Sequence, residues 1–425
     1  MSILGKFATA GALLCLASAA PAWAQTIAIT GGKVITNTAQ GQLENATVLI
    51  EDGKILSVGP DIAIPEGATR IDASGKWVTP GLFAPLSQVG LVEISLEAST
   101  DDSRAEKSEF SVALDGVDGF NPKAEAVAIT KIEGMTRIAV STGPGENIFS
   151  GAGFIADTSG DVVNSITRDH AFVMVQMGER GARIAGGSRP AAWAYLRNAL
   201  TEARQYRPGR ARKDALLNGP DAMALKPVAE GRMPLLVFVN RASDLMTLIR
   251  LHEAQPKLDL VAVGAAEGWM VADELAAAGI PVILEPQNNL PSSFESLGAT
   301  MTNAARLQKA GVTIAIAQLG EAFNARLAPQ QAGDAVANGL SWDAAFAAIT
   351  SAPAQIFGLE DELGTLQSGM IADVVVWDGD PLELMTSPDY VFIGGEAQSL
   401  SSRQTKLRDR YLDLKDAKEN PFAYR

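Results

Sequence analysis

VTPGLFAPLSQVGL, residues 78–91, divides the chain into two kinds of text. Upstream of Pro80-Gly81 the runs are short, β-branched and broken by tight turns. Downstream, apolar strand-like runs alternate with amphipathic helical ones. The stretch is the seam between two architectures, and the polar pair Ser87-Gln88 stands just past the first apolar run of the second.

Working back from the seam, TIAITGGKVI, ATVLIEDGKILSVG and ATRIDASGKWVTPG read as strands separated at Gly31-Gly32, Asp52-Gly53 and Ser74-Gly75. Asp-Gly between apolar runs is a strong hairpin signal. Working forward, MTRIAVSTG (135–143), PLLVFVN (234–240), LDLVAVGA (258–265), IPVILEP (280–286) and VTIAIAQ (312–318) are continuous apolar runs. Helical stretches such as SRPAAWAYLRNALTEARQY (188–206) and SDLMTLIRLHEA separate them. Apolar strands joined by amphipathic helices imply parallel strands covered on the outside. Repetition over this length predicts a closed (β/α)8 TIM-type barrel, a fold of typically about 250 residues. Strand text returns in LGTLQSGMIADVVVWDGDP (363–381) and YVFIGGEAQSL (390–400), so both chain ends are expected to build one small β-sheet domain.

The 425 residues are 47% hydrophobic and 20% charged, with a formal net charge of −14. That composition belongs to a folded chain, and its charge argues against nucleic acid or anionic membrane as partners. Lys6, the apolar run ATAGALLCLASAA and Ala22-Trp23-Ala24 read in order as a secretory leader cleaved after Ala24, which places the chain in a periplasm or outside the cell. The single cysteine, Cys15, lies in that leader, so the remainder has neither thiol nor disulfide. The expected division is leader 1–24, first part of the β domain 25–79, barrel 80–358, second part of the β domain 359–400, and a charged helical tail 401–425.

Two phrases in order, GGKVITN…ATVLIEDGKILSVGP…RIDASGKWVTPGL and ITSAPAQIFGLEDELGTLQSGMIADVVVWDGDPLE, resemble the entry and exit of the amidohydrolase superfamily, near its exported imidazolonepropionase-like branch. The resemblance covers nearly the whole chain after the leader. It implies a metal-dependent hydrolase of amide or other C–N bonds, active at the C-terminal end of the barrel. In that family one or two divalent ions generate hydroxide from bound water and polarise the scissile carbonyl, held by imidazoles and a carboxylate.

Laid on this sequence, Pro80-Gly81-Leu82-Phe83 fit the family's first strand, but its aspartate position is Ala84. Its two histidine positions are Leu86 and Gln88. Later strand ends give Asn240-Arg241 where a histidine is expected, Glu267 in GAAEG where another is expected, and Gln318 in place of the aspartate base. The equivalent of the family's fourth strand is not identified. The whole chain holds two histidines, His170 and His252, too few for a cage that needs about four. His252 shares a helical stripe with Leu245, Leu248 and Ile249 and is expected to pack on the barrel wall. His170 reads as a surface residue.

Other chemistries find no better footing. No G-x-S-x-G elbow is present, and GPGENIFSGAG (143–153) lacks a phosphate loop's lysine and reads as a turn between strands. An oxygen-only site from Glu267, Glu285 and Glu321 competes with their reading as ordinary loop carboxylates. Two functions stay open. One is a non-catalytic family member that binds a small molecule with Ser87, Gln88, Asn240, Arg241, Glu267 and Gln318, or pairs with an intact relative or a second copy of itself. The other is a hydrolase with an altered mononuclear or metal-free site. The first needs no metal or other cofactor, although the family normally binds zinc or another divalent ion.

Overall fold

The computed structural model of the protein describes residues 26–209 and 214–412. The proposed leader and positions 413–425 of the tail lie outside the described residues.

Five strands precede the seam: β1 (Ile27–Ile35), β2 (Gln42–Glu51), β3 (Lys54–Gly59), β4 (Thr69–Asp72) and β5 (Trp77–Pro80). Eight form the second sheet: β6 (Leu82–Ser87), β7 (Met135–Val140), β8 (Phe149–Asp157), β9 (Ile166–Gln176), β10 (Leu235–Val239), β11 (Leu260–Gly264), β12 (Val282–Leu284) and β13 (Ile314–Ile316). Three follow: β14 (Val374–Trp377), β15 (Pro388–Ile393) and β16 (Glu396–Ala397).

The strands of the two chain ends interleave in one sheet of order β16-β15-β14-β5-β1-β2-β3, with β4 beside β1. β14 joins β5 antiparallel, Val374 facing Pro80 and Trp377 facing Trp77. The hairpin between β2 and β3 turns at Asp52 and Gly53, whose φ of 49° and 76° give the left-handed pair that twist-matched two-residue turns require.

The second sheet runs β6 through β13 in sequence order and curls into a nearly closed barrel. Its edges β6 and β13 are bridged by the chain at 348–349. The Phe83 N–H donates to the Ile349 carbonyl (2.8 Å) and the Ile316 N–H to the Ala348 carbonyl (2.9 Å). Backbone groups that an open edge would leave unpaired are satisfied there.

One strand departs from the expected all-parallel order. β8 pairs antiparallel with both β7 and β9. The connection after β7 is a short loop with no crossover helix, and a short link between neighbouring strands forces a hairpin. Most of GPGENIFSGAG serves as that loop, and its last residues already belong to β8.

The parallel strands are buried on both faces, as their unbroken apolar text implies. Leu235, Val237 and Val239 pack outward against the helices, while Leu236, Val261, Val263 and Ile283 fill the barrel. Phe357, from the turn after the helix Ser351–Ile356, closes the N-terminal end. Its ring lies 5.9 Å from Phe83 and 5.3 Å from Phe172. The barrel is therefore a dry, packed core, and a ligand can reach the strand termini only from outside its two ends.

Candidate functional site

A cavity of about 340 Å³ opens at the C-terminal ends of the barrel strands. β6 contributes Leu86, Ser87 and Gln88, the loop after β7 Ser141, Gly143 and Pro144, β9 Met174 and Gln176, β10 Phe238, and the segment after β13 Gln318 to Glu321. Arg104, Arg180 and Glu295 reach in from loops and a helix start above the strands.

Local sequence explains how β6 presents its end. The pairing register of β6 on β7 slips between Ala84 and Ser87, around Pro85, which has no N–H to give the ladder. Leu86 consequently joins the interior cluster with Phe83 and Ile155 and is only 8% exposed. The Ser87 hydroxyl donates to the Ala139 carbonyl (3.1 Å) and fixes the strand end. Met174, Phe238 and Leu319 pack on the same cluster. The cavity floor is thus the apolar top of the barrel core.

Of the residues expected at this site, Leu86, Ser87, Gln88 and Gln318 line the cavity, whereas Asn240, Arg241 and Glu267 do not. Gln318 accepts a hydrogen bond from Gln331. Asn240 takes the Ala266 N–H (3.4 Å) and lies against Gly264, where φ is 87° and a Cβ would fall 2.5 Å from the Asn240 amide oxygen. Arg241 precedes the helix Ala242–Ala254 and holds its Nε 3.7 Å from Asp244. Glu267 is buried and structural: its two oxygens accept the N–H groups of Ala242 and Gly298, both at 3.0 Å.

Beside the cavity runs a compensated charge cluster. Arg189 donates to Asp244 (2.8 Å) and Glu295 (3.2 Å), and Glu295 also accepts the Glu179 N–H (2.6 Å). Glu321, exposed, accepts the Ser95 hydroxyl at 3.0 Å. Glu285, at the end of β12, takes the Leu319 N–H (3.1 Å), and burial pushes its carboxyl above the ordinary range with that hydrogen bond opposing.

His170, half exposed with φ of 45°, sits away from this mouth, with its ring nitrogens 2.9 Å from Asp169 and 3.6 Å from Asp115. His252 is half-buried on its helix and its Nδ1 has no hydrogen-bond partner. A second cavity, of about 450 Å³, lies at the opposite end of the barrel and includes Arg168, His170 and Gln355 to Gly358.

The match to known proteins is broad. The family model described as "Amidohydrolase family" matches residues 311–397. The chain is similar to the amidohydrolase tasK of Hapsidospora irregularis, 24% identical over 83% of this chain and 39% of that protein. It is also similar to the imidazolonepropionase of Maricaulis maris, 25% identical over 81% of this chain and 90% of that one. The crystal structure of an amidohydrolase from Thermotoga maritima superposes with a TM-score of 0.79 at 26% identity, covering 87% of this chain and 99% of the other. These matches support the amidohydrolase superfamily as the family of this chain. It spans about two-fifths of tasK's length, 39%.

The polar lining missed by sequence reasoning is Arg104, Ser141, Gln176, Arg180 and Glu295. Gln176 had a signal, since AFVMVQ is an apolar run with one polar residue at its end, and β9 ends there. Arg180 lies four positions further on, in the helix Gly178–Ile184. Arg104 and Glu295 come from long loops whose course no periodicity encodes.

Proposed function

We propose that this protein is a small-molecule-binding member of the amidohydrolase superfamily that lacks a metal-activated hydrolytic centre. The observation that carries the reading is the donor set at the strand ends. Leu86, Gln88, Gln176, Phe238 and Gln318 line the cavity there. Leucine and phenylalanine offer a metal nothing, and neutral amides bind zinc-type ions poorly compared with imidazole or carboxylate. Of the two lining carboxylates, Glu295 is engaged by Arg189 and the Glu179 N–H, and Glu321 is bonded to Ser95. These residues do not fit a divalent cage. A concave pocket with an apolar floor and convergent polar groups at its rim suits recognition.

The test is metal content of the purified chain, turnover on a panel of N-acyl and cyclic amides, and calorimetric titration of the same compounds. Binding with sub-stoichiometric metal and no turnover is expected. Stoichiometric zinc, with turnover lost on its removal, would overturn the reading. Pairing with an intact relative and export after Ala24 belong to the same proposal. Co-purification and the N-terminal sequence of the exported chain check them.

A second reading, a hydrolase with a metal-free altered site, is favoured by Glu285. A half-buried carboxyl held toward its protonated form at the end of a barrel strand is suited to acid–base work. Turnover abolished by Glu285→Gln with binding intact would establish it.

A further inference from the structure

We infer that the barrel-mouth cavity selects a small organic carboxylate, its charged end held between Arg104 and Arg180 and its apolar body laid on Leu86, Met174 and Phe238. This rests on the ligand-binding reading above and names the ligand's chemistry.

Arg104 and Arg180 both line the cavity, and among the described residues neither forms an ion pair with a carboxylate. Arg180 spends one hydrogen bond on the Pro144 carbonyl (3.2 Å), which leaves most of its five N–H donors free. Burial, then the positive charges of Arg104 and Arg183, pull its guanidinium below the ordinary value, and Glu106 opposes them. An arginine stays charged regardless, so both guanidinium groups bring charged donors to the cavity with no carboxylate paired to them.

The negative groups nearby form no ion pair with either arginine. Glu295 is bonded to Arg189, Glu321 is exposed and accepts the Ser95 hydroxyl, and Glu106 acts on Arg180 only through its field. On a chain with a net charge of −14, two guanidinium groups that line one concavity without an ion pair run against the general field. Planar guanidinium forks fit carboxylates in two-pronged fashion.

The apolar floor then sets the rest of the molecule. Met174 and Phe238 pack on the interior cluster that includes Leu86, so the cavity is asymmetric, with charge at the rim and hydrocarbon beneath. Bare inorganic anions satisfy the rim alone. A volume of about 340 Å³ admits an acylated amino acid but not a long peptide.

The experiment is calorimetric titration of the full chain with N-acetyl-L-leucine, its neutral amide N-acetyl-L-leucinamide, and inorganic phosphate. The acid is expected to bind roughly tenfold or more tightly than the amide, since a charge-assisted hydrogen bond contributes about 1.5–3 kcal/mol. Phosphate is expected to be weaker than the acid. In Arg180→Gln and Arg104→Gln the acid should weaken toward the amide, the amide should weaken far less, and circular dichroism and melting curves matching the parent's show that each variant is folded. Arg232→Gln, at the opposite end of the barrel, should change neither. Equal binding of acid and amide overturns the charge inference while leaving the ligand site standing. Phosphate tighter than the acid overturns the organic carboxylate. Binding of none of the three overturns both readings.

Discussion

Arg137 of β7 and Asp373, just before β14, face each other as a two-pronged buried ion pair, Nε to Oδ2 at 2.6 Å and Nη2 to Oδ1 at 3.0 Å. Thr167 accepts a third bond from the guanidinium (2.6 Å), and the Gly394 N–H donates to Asp373 (2.9 Å). Burial alone would lower the Arg137 value, but the Asp373 charge and hydrogen bonds win and raise it. The pair ties the barrel to the sheet built from both chain ends.

Breaking that pair on one side leaves a charge stranded in a low-dielectric site. Asp373→Asn is therefore expected to cost about 3–5 kcal/mol, read as a lower urea midpoint. The double change Arg137→Met with Asp373→Leu should recover much of the loss, because removing both charges also removes their desolvation cost. A single variant as stable as the parent would show that the pair contributes nothing.

Glu267 tests the division between framework and cavity. Its oxygens satisfy the Ala242 and Gly298 N–H groups, joining the helix after β10 to the loop after β12. Glu267→Ala should lower stability by roughly 2–6 kcal/mol at most, since it orphans two part-buried donors at about 1–3 kcal/mol each. Glu267→Gln, which keeps one acceptor, should lose less. Ligand affinity measured well below the unfolding midpoint should stay within about twofold in the Gln variant. A Gln variant of full stability but no affinity would move Glu267 into the binding machinery.

The leucine and glutamine at the end of β6 make a further point. Leu86→His with Gln88→His restores an H-x-H text without the rest of a cage. The first imidazole enters a site that is 8% exposed, above Phe83 and Ile155. A loss of about 1–3 kcal/mol is expected from burying a poorly bonded polar ring. Zinc affinity should rise only to that of a two-histidine site, with no turnover of amide substrates. Metal content and an amide-hydrolysis assay check this, and restored turnover would mean that other ligands were already in place.

The barrel was legible because its signals are local. LLVFV, LVAVG and the helices between them carry their periodicities within a few residues, and the β14–β5 pairing follows from matched apolar text at both ends. The antiparallel β8 was not legible, since its direction depends on the length of the loop after β7 and not on its own apolar pattern. In the site, residues at strand ends were the readable part. Ser87, Gln88 and Gln318 line the cavity because residues at or just past the end of a parallel strand lie at the barrel mouth toward which that strand runs. Asn240 and Glu267 also stand at strand ends, but each is spent on backbone N–H groups of neighbouring turns. Arg104 and Glu295 reach the cavity by tertiary folding of long loops, which leaves no periodic trace.

Glu285 gives the protein a pH signature. Its folded carboxyl lies above the ordinary glutamate value because burial disfavours the charged form, with the Leu319 N–H pulling the other way. A raised folded value means that the folded state holds the proton more tightly than the unfolded chain. The stability this contributes is fully present below the unfolded value, about 4.3, and is lost as pH rises through the higher folded value. At neutral pH the buried carboxylate is a standing cost. Glu285→Gln retains an acceptor for the Leu319 N–H and carries no charge. Its Tm should exceed the parent's at pH 7, and the difference should shrink to nothing as pH falls below about 4. Melting curves of both proteins between about pH 3.5 and 8 decide it. A constant offset across that range would place the effect in packing rather than in ionisation.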